Sequence, residues 1–204
     1  MTKRLIDVDD SLLEQTSGVL RTRTMKDTVN QALGEVVRAE LRRRHADRLV
    51  RMDGLDRRLG GDGRRVALLR ATHLVDKSAL ARMTHPGVEA RLRPLLEEGF
   101  VATCAIIDLE VLYSARSLAV YEAILAERRA LDDVPITLEV TSRAVTVQRL
   151  LAQVGPHRLP IADLLIAAAA ESADLTVLHD DADFERIADI TGQRQEWVAE
   201  RGSL

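Results

Sequence analysis

From His73 to Val198, short apolar runs alternate with stretches of helical period, and this alternation limits the possible folds more than any other feature of the chain. His73-Leu74-Val75-Asp76 reads as a buried strand, residues 87–98 as a helix, and Phe100–Thr103 as a second short strand. A helix is expected to begin at Thr103 or Cys104 and run through Ser114. Two more are expected over 117–131 and 138–153, with a strand-like stretch at Val134–Thr137 between them. Pro160 opens another helix, with Ile161, Leu164, Leu165 and Ala168 toward the core. Asp174–His179 reads as a strand, Asp181–Ile190 as a helix and Glu196–Val198 as a last strand. Strands that alternate with helices predict a parallel α/β sheet covered on both faces.

The first 70 residues follow a different pattern. Lys3–Val8 alternate around Ile6 and Val8, as one strand would. Asp9-Asp10-Ser11 offers N-cap chemistry before Leu12, Leu13 and a first helix, with Gly18 near its end. Thr24 caps a longer helix with Met25, Val29, Leu33, Val36, Val37 and Leu41 on one apolar stripe. A lone strand cannot satisfy its backbone groups, and a stripe on two helices needs a partner. Two copies of the chain, with their strands paired antiparallel, would meet both needs. A helical hairpin with a frayed N-terminus is the plainer alternative.

Residues 38–70 hold eleven arginines, with Leu49, Met52, Leu55 and Leu59 between them. Gly54, Gly60, Gly61 and Gly63 weaken any helix past Met52. The segment is either a solvated linker or a partner-binding tail whose guanidiniums pair with carboxylates. Charge divides along the same line: residues 1–70 carry 16 Lys+Arg against 11 Asp+Glu, whereas residues 71–204 carry 13 against 21. A basic half and an acidic half are joined in one chain.

Several classes are excluded at this level. No apolar run reaches the length of a membrane span. The start, Met1-Thr2-Lys3-Arg4, leads into acids and predicts no signal peptide. A single cysteine, Cys104, forms no internal disulfide, in keeping with a cytoplasmic setting. Cys104 reads as a packed residue near a helix start, with no histidine placed to serve it as a nucleophile.

In parallel sheets, sites gather at the carboxyl ends of the strands. Asp76 ends the first strand, Asp181 follows the strand ending at His179, and Asp163 lies in the first turn of a helix. Glu110 sits among Ile106, Ile107, Leu109 and Leu112. Singly, these acids can be caps or surface residues. Converging, they would repel one another unless a cation were present. All-oxygen ligation suits Mg²⁺ or Mn²⁺, and such an ion can activate water against a phosphodiester.

Four motifs carry a resemblance. Leu74–Leu80, Ile107–Arg116, Arg158–Ala167 and Val177–Phe184 resemble, in this order, the motifs of PIN-domain ribonucleases, and together they resemble VapC toxins over about residues 72–198. The resemblance implies a Mg²⁺-dependent endoribonuclease acting on structured RNA such as tRNA or rRNA. It implies Asp76, Glu110, Asp163 and Asp181 as catalytic metal ligands. Ser78 is then either an auxiliary residue, bonding a bound water or the scissile phosphate, or a helix N-cap. Asp183 is either an auxiliary ligand or a solvated acid. His179 stands where many relatives have a small hydroxyl residue; it either orients Asp181, contacts substrate or serves the strand end. Asp108 and Asp180 are expected to face away from the site.

Leu5–Leu13 and Thr24–Leu33 resemble the ribbon-helix-helix antitoxins of VapB type. This implies three parts: a ribbon-helix-helix dimerisation domain over 1–44, an Arg-rich inhibitory tail or linker over 45–70, and a PIN-like sheet sandwiched by helices over 71–204. Lys3, Leu5, Thr24 and Lys26 would meet operator DNA, with Asp7 on the same ribbon face. Arg51, Met52, Leu55, Arg57 and Arg58 would cover the acidic pocket. The chain would self-associate as a homodimer or higher. The alternative function is a DNA-binding autorepressor with an inactive nuclease scaffold; a nuclease for DNA flaps is a third.

Overall fold

The computed structural model describes residues 7–51, 70–155 and 158–203. The chain divides into two compact units, Met1–Glu40 and Leu41–Leu204.

In the first unit, the expected strand at Lys3–Val8 lies mostly outside the described residues, and Asp7 and Val8 belong to no strand. Helix α1 (Asp10–Leu20) starts because the Asp9 side chain accepts the Leu12 N–H at 2.8 Å. It ends at Arg21, which adopts the left-handed conformation at φ 53°. Thr24 then caps α2 (Met25–Arg51), accepting the Asp27 N–H at 3.1 Å, while its own hydroxyl donates to the Asp27 carboxylate at 2.6 Å. No residue of α1 is buried, and Leu12, Val19, Met25, Leu33, Val36 and Val37 are all exposed.

The second unit is built on five parallel strands in the order β3-β2-β1-β4-β5. These are β1 (His73–Val75), β2 (Val101–Cys104), β3 (Asp132–Val134), β4 (Thr176–His179) and β5 (Gln195–Trp197). Between them run α3 (Lys77–Leu80), α4 (Pro86–Glu98), α5 (Ala105–Leu112), α6 (Leu118–Arg128), α7 (Leu138–Val154), α8 (Ile161–Ser172) and α9 (Asp183–Thr191). Leu74, Val75, Val101, Ala102, Val177 and Leu178 form the buried middle of the sheet. Ile166, Ala167, Ala168, Ala169 and Ala170 of α8 are buried in the same core. Helix α4 stops at Gly99, whose φ of 81° suits glycine; a Cβ there would also press on the Arg42 guanidinium at 3.3 Å.

The strand expected at Val134–Thr137 lies instead at Asp132–Val134. Pro135 has no N–H to donate, and the Thr137 hydroxyl is taken by the Val140 N–H as the cap of α7. A helix start at Ser78 is one of the two sequence readings of that residue; the helix there is the single turn α3, and Asp76 caps it.

Strand order fixes where a site can form. From β1 the chain steps outward to β2 and β3, then returns to place β4 on the other side of β1. The carboxyl ends of β1 and β4 therefore flank a switch point, where α/β sheets open a crevice.

Residues 41–51, the end of α2, belong to the second unit. His45, Ala46 and Leu49 are buried there. Arg48 grips Glu127 of α6 with three bonds of 2.7–3.0 Å. Arg93 of α4 donates to Asp47 at 2.7 Å.

Candidate metal centre

Asp76 follows β1 and is pinned before anything binds. Its Oδ2 accepts the Ser78 N–H at 2.7 Å and the Ser78 hydroxyl. The same hydroxyl oxygen accepts the Asp180 N–H at 2.9 Å, and the Asp76 N–H donates to the Leu178 carbonyl at 2.9 Å. Ser78 thus ties the two loops of the switch point together, and Asp76 rather than Ser78 is the N-cap of α3. Burial pushes the Asp76 carboxyl up from its ordinary range; the bonds from Ser78 and Lys77 work against that, and the nearby Asp181 charge adds to it.

Asp163 sits in the first turn of α8 and is buried. One of its carboxylate oxygens, Oδ2, is shut from solvent and has no hydrogen-bond partner among the described residues. Its carboxyl is pushed up to about 8, first by burial, then by the charges of Asp76, Asp181, Asp183 and Glu110. One carboxylate oxygen each from Asp163, Asp181 and Asp183 lies within 4.8 Å of the others. Asp181 Oδ1 accepts the Asp183 N–H at 2.9 Å, which holds these two acids in one turn. Asp183 also receives a bond of 2.8 Å from Arg186.

Of the acids expected from the sequence, Asp163 and Asp181 fall in the tightest group, joined by Asp183. Asp76 and Glu110 stand near enough for their charges to act on Asp163. Glu110 is half-buried on α5. Asp108 and Asp180 are engaged elsewhere: Asp108 accepts from Arg128 at 2.7 Å and Thr103 at 2.8 Å, and Asp180 from Arg82 at 2.7 Å. Cys104 is buried, and burial pushes its thiol up to about 12, far from a nucleophile's range.

Lys3 and Leu5 lie outside the described residues, as do Met52, Leu55, Arg57 and Arg58. Thr24 and Lys26 are exposed at the start of α2, and Arg51 is its last residue. No helix among the described residues is long and apolar enough to cross a membrane.

The donors fit a hard divalent cation. They are all oxygens, they crowd one another, and a buried oxygen of Asp163 has no partner among the described residues. A buried carboxylate without a bond is costly, and a cation would remove both the repulsion and the missing contact.

The family model described as PIN domain matches residues 73–190. Ribonuclease VapC51 of Mycobacterium tuberculosis is 42% identical over 132 residues, covering 65% of this chain and 96% of that protein. Ribonuclease VapC21 of the same species is 46% identical over 133 residues, 64% of this chain and 96% of that protein. Among solved structures, DNA-bound VapBC from Salmonella typhimurium overlays with a TM-score of 0.52 at 20% identity, over 63% of this chain and 99% of that chain. Similarity at that level concerns the fold alone.

Proposed function

The chain belongs to the PIN-domain family, and from that membership we propose that it is a metal-dependent endoribonuclease joined in one chain to an antitoxin-like segment that restrains it. One observation carries the reading: carboxylates converge at the switch point around an Asp163 oxygen that no described residue satisfies. The relatives named ribonuclease VapC support RNA phosphodiesters as the substrate class, and the family resemblance implies structured RNA of tRNA or rRNA type. Asp76, Glu110, Asp163 and Asp181 would hold Mg²⁺ or Mn²⁺, with Asp183 as a further oxygen donor. A bound divalent ion supplies Lewis acidity and offsets charge on the phosphodiester. The residues do the rest. Ser78 keeps Asp76 aimed and holds it to the β4 loop. With its carboxyl pushed up to about 8, Asp163 would keep a proton at neutral pH in the metal-free site and would give it up to ligate a cation.

The N-terminal part is assigned a VapB-like role: dimerisation and operator binding by residues 1–44, inhibition by 45–70, and the nuclease over 71–204. The exposed apolar side chains Leu33, Val36 and Val37 support self-association. Exposed Thr24 and Lys26, at a helix start, suit phosphate. The burial of His45, Ala46 and Leu49 against the PIN fold supports a tail that docks on the nuclease in the same chain. Tethering gives such a tail a high effective concentration.

The test uses the full chain. Arg57→Ala with Arg58→Ala should speed cleavage of RNA in Mg²⁺ or Mn²⁺, and adding Asp163→Asn should abolish it. If the double variant cuts no RNA with either ion, the nuclease reading falls and an autorepressor with a silent scaffold takes its place.

A further inference from the structure

We propose that His179 is a positioning residue that sets the Asp181–Asp183 turn through a fixed ring tautomer. The inference rests on the reading of those acids as metal ligands. His179 is the last residue of β4 and is fully buried. Its Nδ1 lies 3.1 Å from the Asp181 backbone nitrogen, which carries a hydrogen and donates. Nδ1 is therefore the acceptor, and the neutral ring carries its proton on Nε2. Nε2 faces Gln195 Oε1 at 2.6 Å and donates to it. The two bonds specify each other: Gln195 fixes the tautomer, and the tautomer leaves a lone pair for Asp181.

The ring is flanked by two aromatic side chains. Phe184 and Trp197 each stand 5.0 Å from its centroid. These are two of only five Phe, Tyr and Trp residues in the chain, so much of its aromatic content is spent around this ring. Trp197 is itself held, its Nε1 donating to Glu185 at 2.8 Å. The His179 carbonyl accepts the Val198 N–H at 2.7 Å, which ties the residue to the end of β5 as well. From this anchor the order passes outward. The Asp181 N–H is held by the ring, and the Asp181 carboxylate in turn holds the Asp183 N–H. Two of the three closest carboxylates are thus placed by one imidazole. A small hydroxyl side chain does not span from the Asp181 amide to β5.

The experiment measures Mn²⁺ affinity of the full chain by calorimetry, with no RNA present. His179→Phe keeps an aromatic ring between Phe184 and Trp197 but offers no acceptor; His179→Asn offers an acceptor in place of Nδ1 without the full ring. His179→Phe should lose about tenfold or more in Mn²⁺ affinity, and His179→Asn should recover most of that loss. Equal losses in both variants, or none in His179→Phe, would overturn the proposal. If His179→Phe does not fold, nitrogen NMR of wild-type histidines in the metal-free chain decides: a proton on Nε2 of His179 supports the assignment, and one on Nδ1 ends it. A wild-type chain that binds Mn²⁺ but cuts no RNA defeats the nuclease reading and leaves this one to the two variants. A chain that binds no Mn²⁺ overturns both.

Discussion

Two charged clusters are buried in the second unit, and they are built on opposite terms. Around Arg128, every charge is met by its opposite. Arg128 donates to Asp108 at 2.7 Å and to Thr103, and one of its amino groups lies 3.3 Å from His45 Nε2. Arg48 closes on Glu127 with a bidentate grip. At the switch point, by contrast, Asp163, Asp181 and Asp183 face one another, with Asp76 and Glu110 close by. The first cluster pairs its charges, Arg128 with Asp108 and Arg48 with Glu127, and its one buried atom without a hydrogen bond among the described residues is the neutral His45 ring's Nδ1, 3.6 Å from Glu127. The second holds a buried carboxylate oxygen with no partner among the described residues. A buried charge is tolerable when it is paired and expensive when it is not. The difference separates a device that anchors residues 41–51 from one suited to receiving a cation.

Removing a charge should therefore have opposite effects in the two places. Glu127→Ala strips Arg48 of its buried partner and removes the carboxylate that lies 3.6 Å from His45 Nδ1. It should cost about 3–5 kcal/mol, the usual loss when one member of a buried pair is removed, read as a drop in denaturation midpoint. Asp163→Asn should stabilise the metal-free chain by about 1 kcal/mol or more at pH 8, because it removes one of several mutually repelling acids. The sign follows from linkage. The Asp163 carboxyl lies at about 8 in the fold and at 3.8 when unfolded. The folded form therefore binds more protons in that window, and its stability falls as pH rises through it. Asp163→Asn should flatten this slope. Excess Mn²⁺ should stabilise the wild type more than the variant. A variant less stable than wild type in metal-free buffer at pH 8 would erase the contrast between the two clusters.

The two clusters also differ in how far the sequence exposed them. Asp76 and Asp181 were legible because short strands end just before them, and the return of the chain beside β1 brings those ends together. Asp163 was legible from its place after Pro160. The closeness of Asp183 to the group was harder to read, since it depends on the turn that Asp181 closes on the Asp183 N–H. The Arg128 cluster was not legible at all. His45, the Thr103–Asp108 pair and the Glu127–Arg128 pair come from three separate stretches of sequence, and nothing local marks them as neighbours. The arginines of 38–70 read as a linker or tail; the glycines after Met52 allowed a helix that far, and only packing shows that the end of α2 enters the second unit. Likewise α3 is a single turn, too short for any periodic signal, and β3 is displaced by a proline.

The smallest expected effect concerns pH at the anchoring cluster. Arginine only donates, so the Arg128 contact makes His45 Nε2 an acceptor. Protonating that nitrogen would lose the bond and set two cations together. Burial holds the His45 pKa below its ordinary 6.5, and Arg128 adds to this; Glu127, 3.6 Å from Nδ1, and Asp108 pull the other way. Here the unfolded chain binds more protons, so stability is present above 6.5 and falls as pH drops below it, the reverse of the Asp163 slope. One proton limits the effect to about 1.4 kcal/mol per pH unit. Glu127, held below its ordinary range against burial by His45 and Arg48, adds a second loss at lower pH. Thermal melts of the Asp163→Asn chain, in which the opposing slope is removed, should therefore show a midpoint that falls between pH 6.5 and 5. Adding His45→Gln should flatten that fall. An unchanged slope would mean that His45 is not the group that takes up the proton, and that residues 41–51 are held chiefly by Arg48 and by the packing of Ala46 and Leu49.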